Sequence, residues 1–384
     1  ILHLTHTDIN SDSRILKEMQ SIANSNQSYN VEGIGIERNE DRNSTTTENI
    51  IIHSLKLKSR KWNKLPNIIK HIFILIEFYI KLFLLAKKLK PKIIHCHDVM
   101  VLPIGLILKI FCKTKLIYDA HELESKKNGT TPIESKIVFF VEKISWKYID
   151  SLIVVSPSIS EWYKENIGIK HTEIIMNAPY IEEKKIDFDN DYLRNLYSIP
   201  KSSKIFIYIG GFMKGRGIEL LLEIFQRKDL ESHMVFLGYG ELKDKIINES
   251  KNCTKIHVHD AVPHEKVISV AKSADIGLCF IQNISLSDYY CLPNKLFEYA
   301  FAEIPMLASN FPDIIDVVDK YNLGKHASLE IEDMYKTIKE FETMDQLPKI
   351  QIEDLYDLSW SAQEEKLISL YKIIEENIEQ EGKK

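Results

Sequence analysis

The sequence predicts an α/β protein built from two doubly wound domains, each with a parallel sheet covered by helices. The chain has 384 residues, which is more than a single hydrophobic core usually serves. Short apolar, β-branched runs alternate with helical stretches, and this alternation favours parallel strands joined by helical crossovers. Two such series follow each other, with a polar stretch between them. Because ligands of open α/β sheets bind at the carboxyl ends of the strands, we expect the active site in a cleft between the two domains.

The predicted strands set the domain boundaries. In the first series they cover residues 93–95, 115–118, 151–155 and 174–176. In the second they cover residues 205–210, 234–238, 256–258, 276–280 and 305–308, with a helix predicted over 217–227. The polar stretch 182–203 ends in PKSS, a composition typical of loops. We therefore predict a first domain over 1–180, a linker over 181–203, a second domain over 204–358 and, over 359–384, a C-terminal helix that could pack back on the first domain.

Composition excludes several classes of protein. Apolar residues make up 44% and charged residues 27% of the chain, as in globular rather than disordered or fibrous proteins. The five cysteines are scattered and form no CxxC pair, so neither a zinc or redox motif nor a disulfide framework is predicted. The chain opens on ILHLTH, a strand pattern without the basic region of a secretion signal. We expect a cytoplasmic protein with reduced thiols.

Residues 56–92 carry an unusual concentration of positive charge, with eleven lysines and arginines against the single acid Glu77. Within them, residues 68–89 are rich in Ile, Leu and Phe, but the lysines that interrupt this run argue against a membrane-spanning helix. Two interpretations stay open: an amphipathic helix lying on an anionic membrane, which would place the protein peripherally on the inner face of the cell membrane, or a core helix with a solvated basic edge. Nucleic-acid binding is not predicted, because the run lacks base-stacking aromatics in a repeating pattern and the net charge of the chain is −5.

Two segments of the second series have the features of an anion-binding site. The first, YIGGFMKGRGIELL at residues 208–221, runs from a strand through a Gly-rich turn into a helix. Glycines let the backbone approach a phosphate, and Arg216 can add charge-assisted hydrogen bonds. The alternative interpretation is a tight turn with no ligand.

The second segment, YYCLPNKLFEYAFAEIPMLAS, covers residues 289–309. Pro293 suits the first turn of a helix whose N-terminus can hold an anion, and Lys295 adds a charge beside it. Glu298 lies on the same helix, where a carboxylate can accept both hydroxyls of a ribose. The alternative for Glu298 is a favourable acid near a helix start.

At this point the sequence resembles a known family. The segment LPNKLFEY with the IP that follows it is similar to the donor-binding segment of glycosyltransferase family 4, whose members have the GT-B fold of two Rossmann-like domains. Seven further segments follow the family's order. They are HCHD at 95–98, YDAHE at 118–122, VSPS at 155–158, MN at 176–177, the Gly-rich segment at 210–221, LGYGEL at 237–242 and VPHE at 262–265.

The resemblance implies roles for individual residues. Glu298 would bind the ribose, Arg216 and Lys295 would neutralise the departing diphosphate, and His121 would line the reaction centre, so that His121, Arg216 and Lys295 are the catalytic candidates. Cationic stabilisation matters more than a strong base for such a leaving group. The donor-binding candidates are Gly210, Gly211, Arg216, Gly238, Val262, Tyr290, Pro293, Asn294, Lys295, Leu296 and Glu298. For His121 the alternative is a core histidine.

Two departures from the family pattern affect the donor site. Tyr290 stands where the family often has a glutamate that touches the donor sugar, and Asp288 is a possible substitute. Gly211 stands where the family often has an arginine, so Arg216 and Lys295 would hold the diphosphate between them.

On the acceptor side, the loop after the first strand has polar residues that could bind a sugar or its phosphate. Asp12, Arg14 and His97 are the acceptor-binding candidates, although Arg14 could equally be an ordinary helix start. No metal site is predicted, because His95 and His97 lack a third ligand at zinc spacing. Asp187 and Asp189 form an Asp-x-Asp pattern that lies in the polar linker without a preceding strand, which indicates solvated acids.

The resemblance implies a metal-independent, hexosyltransferase-type glycosyltransferase without a cofactor. It would move a sugar from a nucleotide diphosphate sugar, with a UDP-sugar favoured, to a saccharide or polyprenyl-linked saccharide. The transfer would retain the anomeric configuration and would serve the synthesis of a surface polysaccharide such as lipopolysaccharide or capsule. Two alternatives stay open: a nucleotide-sugar 2-epimerase of the same fold, and an inactive scaffold that binds sugar or lipid.

Overall fold

A computed structural model describes residues 1–37, 46–47, 49–180 and 189–382, with the backbone alone at 46–47. The chain divides into two compact units, the first formed by Ile1–Ile175 with Glu364–Lys384 and the second by Met176–Gln363. Each unit has its own sheet. Of the Asp-x-Asp pattern in the polar linker, Asp187 lies outside the described residues.

The first unit contains an eight-stranded sheet with helical crossovers. Its strands are β1 (Leu2–Leu4), β2 (Val31–Ile36), β3 (Thr46–Thr47), β4 (Ile50–Leu55), β5 (Ile93–His97), β6 (Lys115–Ala120), β7 (Ser151–Val154) and β8 (Thr172–Ile174). Its first helices are α1 (Ser13–Ser25), α2 (Asn67–Leu89), α3 (Leu102–Cys112), α4 (Pro132–Ser145) and α5 (Pro157–Asn166). The strands lie in the order β3-β4-β2-β1-β5-β6-β7-β8. All neighbours are parallel except β3 and β4.

The second unit contains a six-stranded sheet in which every pair is parallel. Its strands are β9 (Ile205–Gly211), β10 (His233–Tyr239), β11 (Ile256–Asp260), β12 (Ile276–Cys279), β13 (Met306–Ser309) and β14 (Gly324–Ala327). Its helices are α6 (Tyr192–Tyr197), α7 (Ile218–Phe225), α8 (Lys243–Asn252), α9 (His264–Lys272), α10 (Leu286–Tyr289), α11 (Asn294–Phe301), α12 (Pro312–Lys320) and α13 (Ile331–Thr343). The strand order is β11-β10-β9-β12-β13-β14. The two predicted parallel sheets are thus confirmed.

The core of the second unit lies on both faces of its sheet. Along β9, Ile205 and Ile207 pack into one apolar cluster, whereas Phe206 and Tyr208 pack into another. Successive side chains of a strand point to opposite faces. A strand that is apolar at every position is therefore covered on both sides, as parallel sheets require.

Two elements differ in detail from the sequence analysis. The last predicted strand of the first series, at 174–176, is displaced toward the N-terminus and forms β8. The stretch that we expected to be a linker contains α6, because Leu193 is fully buried in the core of the second unit. The final helix, α14 (Trp360–Gly382), places the buried Tyr371 hydroxyl 2.8 Å from His95 Nδ1 of the first unit.

The long helix α2 buries only a narrow stripe. Phe78, Leu82 and Ala86, spaced by four residues, are its buried side chains, and most of its other large apolar side chains are exposed. Within the described residues, α2 and every other helix fall short of the length and apolar content that crossing a bilayer would need.

Candidate functional site

Glycines bring the ends of β9 and β10 into close contact in the second unit. Gly238 has a φ of 154°, and a Cβ at this position would lie 2.0 Å from the carbonyl oxygen of Gly210. Gly217 precedes α7 with a φ of 73°, and its Cβ would lie 2.8 Å from Phe280 Cβ. Only glycine fits such contacts. The backbones of the two strand ends therefore lie against each other at Gly210 and Gly238 without side chains between them.

Arg216 stands beside this Gly-rich turn. Its guanidinium Nη1 lies 3.5 Å from Asp288 Oδ1, and about a third of its side chain is exposed. Asp288 is fixed in turn by the hydroxyl of Ser285, which donates to its second oxygen at 2.8 Å. The structure thus brings together Arg216 and the carboxylate that we considered a substitute for the missing glutamate. Tyr290 follows α10 directly, and Gly211 lies at the end of β9.

Lys295 is the most unusual charged residue of the second unit. It is only 8% exposed, and its ammonium makes no hydrogen bond to any described residue. The ammonium lies 3.7 Å from the centroid of the Tyr208 ring, a cation–π contact. A buried cation without a hydrogen-bonding partner is costly, and this arrangement suits a site that receives an anion.

The helix that carries Lys295 also carries Glu298. Pro293 precedes α11 without a side-chain cap on the first turn, Asn294 is the first helical residue, and the buried Leu296 anchors the helix in the core. Burial raises the pKa of Glu298 to about 7, although the Lys295 ammonium acts in the opposite direction.

Another loop reaches the same carboxylate. His264 Nδ1 lies 3.9 Å from Glu298 Oε1, and Val262, two residues earlier, packs against the core. The turn between β11 and α9 therefore lies next to Glu298.

The first unit holds a cluster of charged residues where β5 and β6 end. Asp119 is fully buried and receives two hydrogen bonds from Arg14 Nη2, at 3.1 and 3.2 Å. His121 Nε2 lies 3.1 Å from Asp119 Oδ2. Burial disfavours the charged forms, but Arg14 and His121 hold the pKa of Asp119 well below its usual range. The carboxylates of Asp119 and Asp98 overcome burial and raise the pKa of His121 to about 9.

Arg14 is bound on several sides. Its Nε lies 3.0 Å from Glu18 Oε1, and its Nη1 donates to the carbonyl oxygen of Ile175 at 2.9 Å. Burial, helped by the charge of Asp119, raises the pKa of Glu18 to about 8. Asp12 caps α1 by accepting from the amide of Ile15.

Three histidine rings extend the cluster into the core. His97 Nδ1 lies 3.1 Å from His121 Nε2, and His97 Nε2 lies 2.9 Å from His3 Nδ1. Burial lowers the pKa of His95 to about 3 and also lowers those of His3 and His97. These three rings are therefore neutral at physiological pH, whereas His121 is charged.

Two groups of side chains have the composition of a metal site. One contains His3, Glu18, His95 and His97, the other His97, Asp119 and His121, with one atom from each member within 4.8 Å of the others. The His95 and His97 rings are stacked, with centroids 4.3 Å apart and planes inclined by 15°. The second group does not share this stacking, since the planes of the His97 and His121 rings are inclined by 65°. Each group contains hydrogen-bonded members, His3 with His97 and His121 with Asp119. The absence of a metal site stays a prediction.

The acceptor-side candidates occupy unequal positions. Arg14 and His97 are buried inside the cluster, where they contact Asp119 and His121 rather than the surface. About a fifth of the His121 side chain is exposed. A role of Arg14, His97 or Asp12 in binding an acceptor stays a prediction.

From the sequence we expected no role for Asp119, Glu18, His3 or His264. Asp119 lies in the segment YDAHE, two residues before His121, but nothing local indicates that it pairs with Arg14. The spacing of four residues between Arg14 and Glu18 is a signal for an ion pair on a helix. For His3 no signal exists in the sequence, because its partner His97 is contributed by a distant strand.

Comparison of the sequence with known protein families identifies the two halves of the chain. The sequence profile of Glycosyltransferase Family 4 matches residues 51–178, and that of Glycosyl transferases group 1 matches residues 189–356. An uncharacterized glycosyltransferase of Methanocaldococcus jannaschii is 28% identical over 171 residues, which cover 40% of this chain and only 42% of that protein. Chitobiosyldiphosphodolichol beta-mannosyltransferase of Kluyveromyces lactis is 22% identical over 311 residues, covering 71% of this chain and 67% of that protein.

Solved structures show the same fold at lower identity. Sucrose-phosphate synthase from Thermosynechococcus elongatus has a TM-score of 0.77 at 15% identity, over 97% of this chain and 98% of that one. The Anabaena protein HepE, solved in complex with UDP-glucose, has a TM-score of 0.68 at 10% identity, over 97% of this chain and 98% of that one. The chain therefore belongs to the glycosyltransferases of the GT-B fold, with a family 4 domain followed by a group 1 domain.

Proposed function

We propose that this glycosyltransferase moves a sugar from a nucleotide diphosphate sugar, with a UDP-sugar favoured, to a saccharide or polyprenyl-linked saccharide acceptor. The transfer would retain the anomeric configuration and would serve the synthesis of a surface polysaccharide. The observation that carries the donor part is the buried ammonium of Lys295, which has no hydrogen-bonding partner among the described residues. A diphosphate would supply both the charge and the acceptor oxygens that this cation lacks.

The residues around Lys295 support a nucleotide diphosphate rather than a simple anion. The Gly-rich turn between β9 and α7 would let phosphate oxygens approach the backbone at the N-terminus of a helix. Arg216 adds a second cation, which Asp288 holds in place. As the bond between sugar and diphosphate breaks, negative charge grows on the diphosphate, and the two cations stabilise it. With both cations in place, we propose that the enzyme needs no metal ion.

Glu298 gives the site its preference for a nucleoside. It lies one helical turn after Lys295 on α11, so a carboxylate that accepts ribose hydroxyls stands beside a cation that binds phosphate. A UDP-sugar is favoured because the Anabaena protein HepE, which has a similar fold, was solved in complex with UDP-glucose.

In the first unit, we assign to His121 the role of a charged hydrogen-bond donor at the reaction centre, as the family resemblance implies. With a pKa of about 9, its ring is protonated at neutral pH and cannot act as a general base there. Asp119 is a positioning residue, because it fixes the ring and keeps its charge through Nε2.

The mannosyltransferase of Kluyveromyces lactis that this chain resembles is named for a diphosphodolichol-linked substrate. A lipid-linked acceptor would place the present enzyme peripherally on the inner face of the cell membrane. The basic segment 56–92 supports that setting.

A binding and hydrolysis screen in the presence of a chelator tests the proposal. Purified protein is titrated with UDP-glucose, UDP-galactose, UDP-N-acetylglucosamine and GDP-mannose, and release of free sugar is followed. We expect one nucleotide sugar to bind and to be hydrolysed slowly without metal, and Glu298→Ala, Arg216→Ala and Lys295→Met each to weaken binding at least tenfold, as expected for lost contacts to a charged group. Lys251→Met, a change at an exposed lysine of the same unit, is the matched control.

Each outcome has a distinct meaning. If nothing binds, the scaffold interpretation replaces the enzyme. If binding requires added Mg²⁺ or Mn²⁺, metal independence is wrong and the assignment of the two cations must be revised. If the site variants bind like the control, the donor site lies elsewhere.

A further inference from the structure

The largest group of exposed apolar side chains lies on three neighbouring helices of the first unit. On α2, Ile68, Ile72, Ile76, Ile80 and Leu84 recur every fourth residue and are between 48% and 77% exposed. Residues four apart lie on one face of a helix. The stripe therefore runs along almost the whole outward side of α2, opposite to the buried stripe formed by Phe78, Leu82 and Ala86.

The neighbouring helices continue this surface. On α4, Ile133, Ile137, Phe140 and Ile144 share the 4-3-4 spacing of one helix face and are exposed. α3 packs against both α2 and α4. It exposes Ile110 and, with 74% of its side chain accessible, Phe111.

An apolar surface of this extent is not explained by the fold. Single exposed apolar side chains are normal, but contiguous patches of many residues mark interaction sites. Of the Ile, Leu, Phe, Met, Trp and Tyr side chains that are strongly exposed among the described residues, most lie between residues 62 and 144.

Charge indicates which partner this surface fits. Lys87 and Lys88 are exposed at the end of α2, and Lys64 is exposed just before its start. On α4, Lys136 and Lys143 are exposed between the apolar residues. An apolar surface of a partner protein would leave these lysines without counter-charges. The headgroups of anionic lipids would neutralise them.

Of the acids nearby, Glu77 and Glu142 are held by contacts within the protein, whereas Glu134 is exposed and bonded to the helix N-terminus. Glu77 accepts from the amides of Lys58 and Ser59 and forms an ion pair with Lys81 at 2.7 Å. On α4, Glu142 is buried and accepts from Tyr118 at 2.9 Å. The other acid of that helix, Glu134, is part of the capping box with Thr131. These carboxylates oppose an anionic partner less than free acids would.

Trp62 stands at the edge of the surface. Its ring packs edge-on against Phe73 of α2, with centroids 5.5 Å apart, and nearly half of the side chain stays exposed. Aromatic rings of this kind prefer the headgroup level of a bilayer.

We propose that the outward faces of α2, α3 and α4 together form a docking surface for an anionic lipid bilayer, with the aliphatic side chains inserted and the lysines among the headgroups. This extends the predicted contact of residues 56–92 to two further helices. It is independent of the donor site, and it assigns to the enzyme a fixed face toward the membrane.

Flotation with lipid vesicles tests the proposal without any sugar substrate. The full chain is mixed with vesicles of phosphatidylcholine, or of phosphatidylcholine with about one third phosphatidylglycerol. We expect the protein to float with the anionic vesicles and to be released from them by salt. Ile72→Ser, Ile76→Ser and Ile137→Ser combined should lower partitioning at least about tenfold, because three apolar anchors are lost. The matched control combines Ile169→Ser, Leu196→Ser and Ile284→Ser, three exposed aliphatic positions outside these helices.

The charge component has its own variant. Lys87→Glu with Lys88→Glu should lower binding to anionic vesicles about thirtyfold or more, since each basic residue near such a surface contributes about 1 kcal/mol, and should leave binding to neutral vesicles unchanged. Circular dichroism and thermal unfolding confirm that all variants fold. Nucleotide-sugar binding, measured separately, distinguishes failure of this surface from failure of the proposed transferase activity.

Three results would overturn the proposal. The first is that wild type fails to float with either vesicle. The second is that the triple variant and its control partition equally. The third is that the wild-type chain self-associates in sedimentation and the triple variant does not, while lipid binding is absent from both, which would make the surface an interface between two copies of this chain.

Discussion

The first unit holds Arg14, Asp119 and His121 in one connected cluster, whereas the second unit leaves Lys295 and Glu298 with few polar contacts of their own. In the cluster, the charged groups of Arg14 and His121 both contact the Asp119 carboxylate, although the oxygens of the neighbouring Glu18 make no hydrogen bond to any described residue. In the second unit, the Lys295 ammonium is buried and has no hydrogen-bonding partner among the described residues. One unit has thus built its polar cluster into the folded core, whereas the other holds a buried cation that we propose to bind an anion.

This difference predicts what substitutions do. In the first unit, removal of one member leaves a buried partner uncompensated, so stability and activity fall together. In the second unit, removal of a charged side chain removes the cost of burying that charge or changes the free energy of unfolding little. We therefore expect ligand binding to fall while stability is kept. Measurements of stability and of nucleotide binding on the same variants therefore test the comparison directly.

The largest effect is expected for Asp119→Asn. The carboxylate accepts three hydrogen bonds from Arg14 and contacts His121. Its loss leaves the buried Arg14 guanidinium with only Glu18 and the Ile175 carbonyl oxygen as partners. Breaking a buried pair costs about 3 to 5 kcal/mol. Denaturant unfolding should show this loss. A loss below about 1 kcal/mol would mean that the cluster is not the connected network that we describe.

A backbone change in the second unit should come next. Gly238→Ala would place a Cβ 2.0 Å from the Gly210 carbonyl oxygen at a φ of 154°. Gly129→Ala is the control, because its φ is 77° and its Cβ would meet no atom within 4 Å. We expect Gly238→Ala to cost at least about 2 kcal/mol more than the control, because strain and a clash add. Equal unfolding free energies would show that the two strand ends can move apart.

The pH dependence of stability should distinguish His121 of the first unit from Glu298 of the second. The pKa of His121, about 9, lies above its ordinary value of 6.5. The folded protein therefore holds an extra proton between these values, and the stabilisation, complete below pH 6.5, is lost as pH rises toward 9. The pKa of Glu298, about 7, lies above its ordinary value of 4.5. The folded protein therefore holds an extra proton between these values, and the free energy of unfolding falls as pH rises from 4.5 to 7.

Variants identify the two windows. Relative to wild type, His121→Gln should flatten the decline of unfolding free energy between pH 6.5 and 9, and Glu298→Gln should flatten it between pH 4.5 and 7. Denaturant titrations at a series of pH values measure both. If His121→Gln acts only below pH 6.5, the ring is not held in its charged form by Asp119 and Asp98.

Local patterns explain why the sequence could name candidate residues more readily in the second unit than in the first. The candidate residues lie in short segments that run from a strand or loop into a helix, namely Gly210, Arg216, Lys295 and Glu298. Residues that act together in such a segment are close in the sequence, so a local pattern can indicate them. Even there, the contact between His264 and Glu298 was not predicted, because it joins two separate helices, α9 and α11.

The cluster of the first unit depends on partners far apart in the chain. Arg14 meets Asp119 across 105 positions, and His3 meets His97 across 94, so no local pattern reports either contact. Which face of α2 is buried could not be predicted either. Apolar residues surround this helix, so their periodicity does not distinguish the buried face from the exposed one. What the sequence did predict was the double alternation of strands and helices, which needs only local signals.

The smallest effect on stability is expected for Arg216→Ala. This variant tests the difference between the two units at a single residue. A third of the side chain is exposed, and its Nη1 lies 3.5 Å from Asp288 Oδ1, so the pair contributes no more than about 1 kcal/mol. We expect the unfolding free energy to change by less than about 0.5 kcal/mol, while affinity for the nucleotide sugar falls at least tenfold because a charged hydrogen bond to phosphate is lost. Calorimetric titration and denaturant unfolding on one preparation give both values. A variant that lost stability but kept its affinity would assign Arg216 to the fold instead of the donor, and the contrast between the two units would no longer hold at this residue.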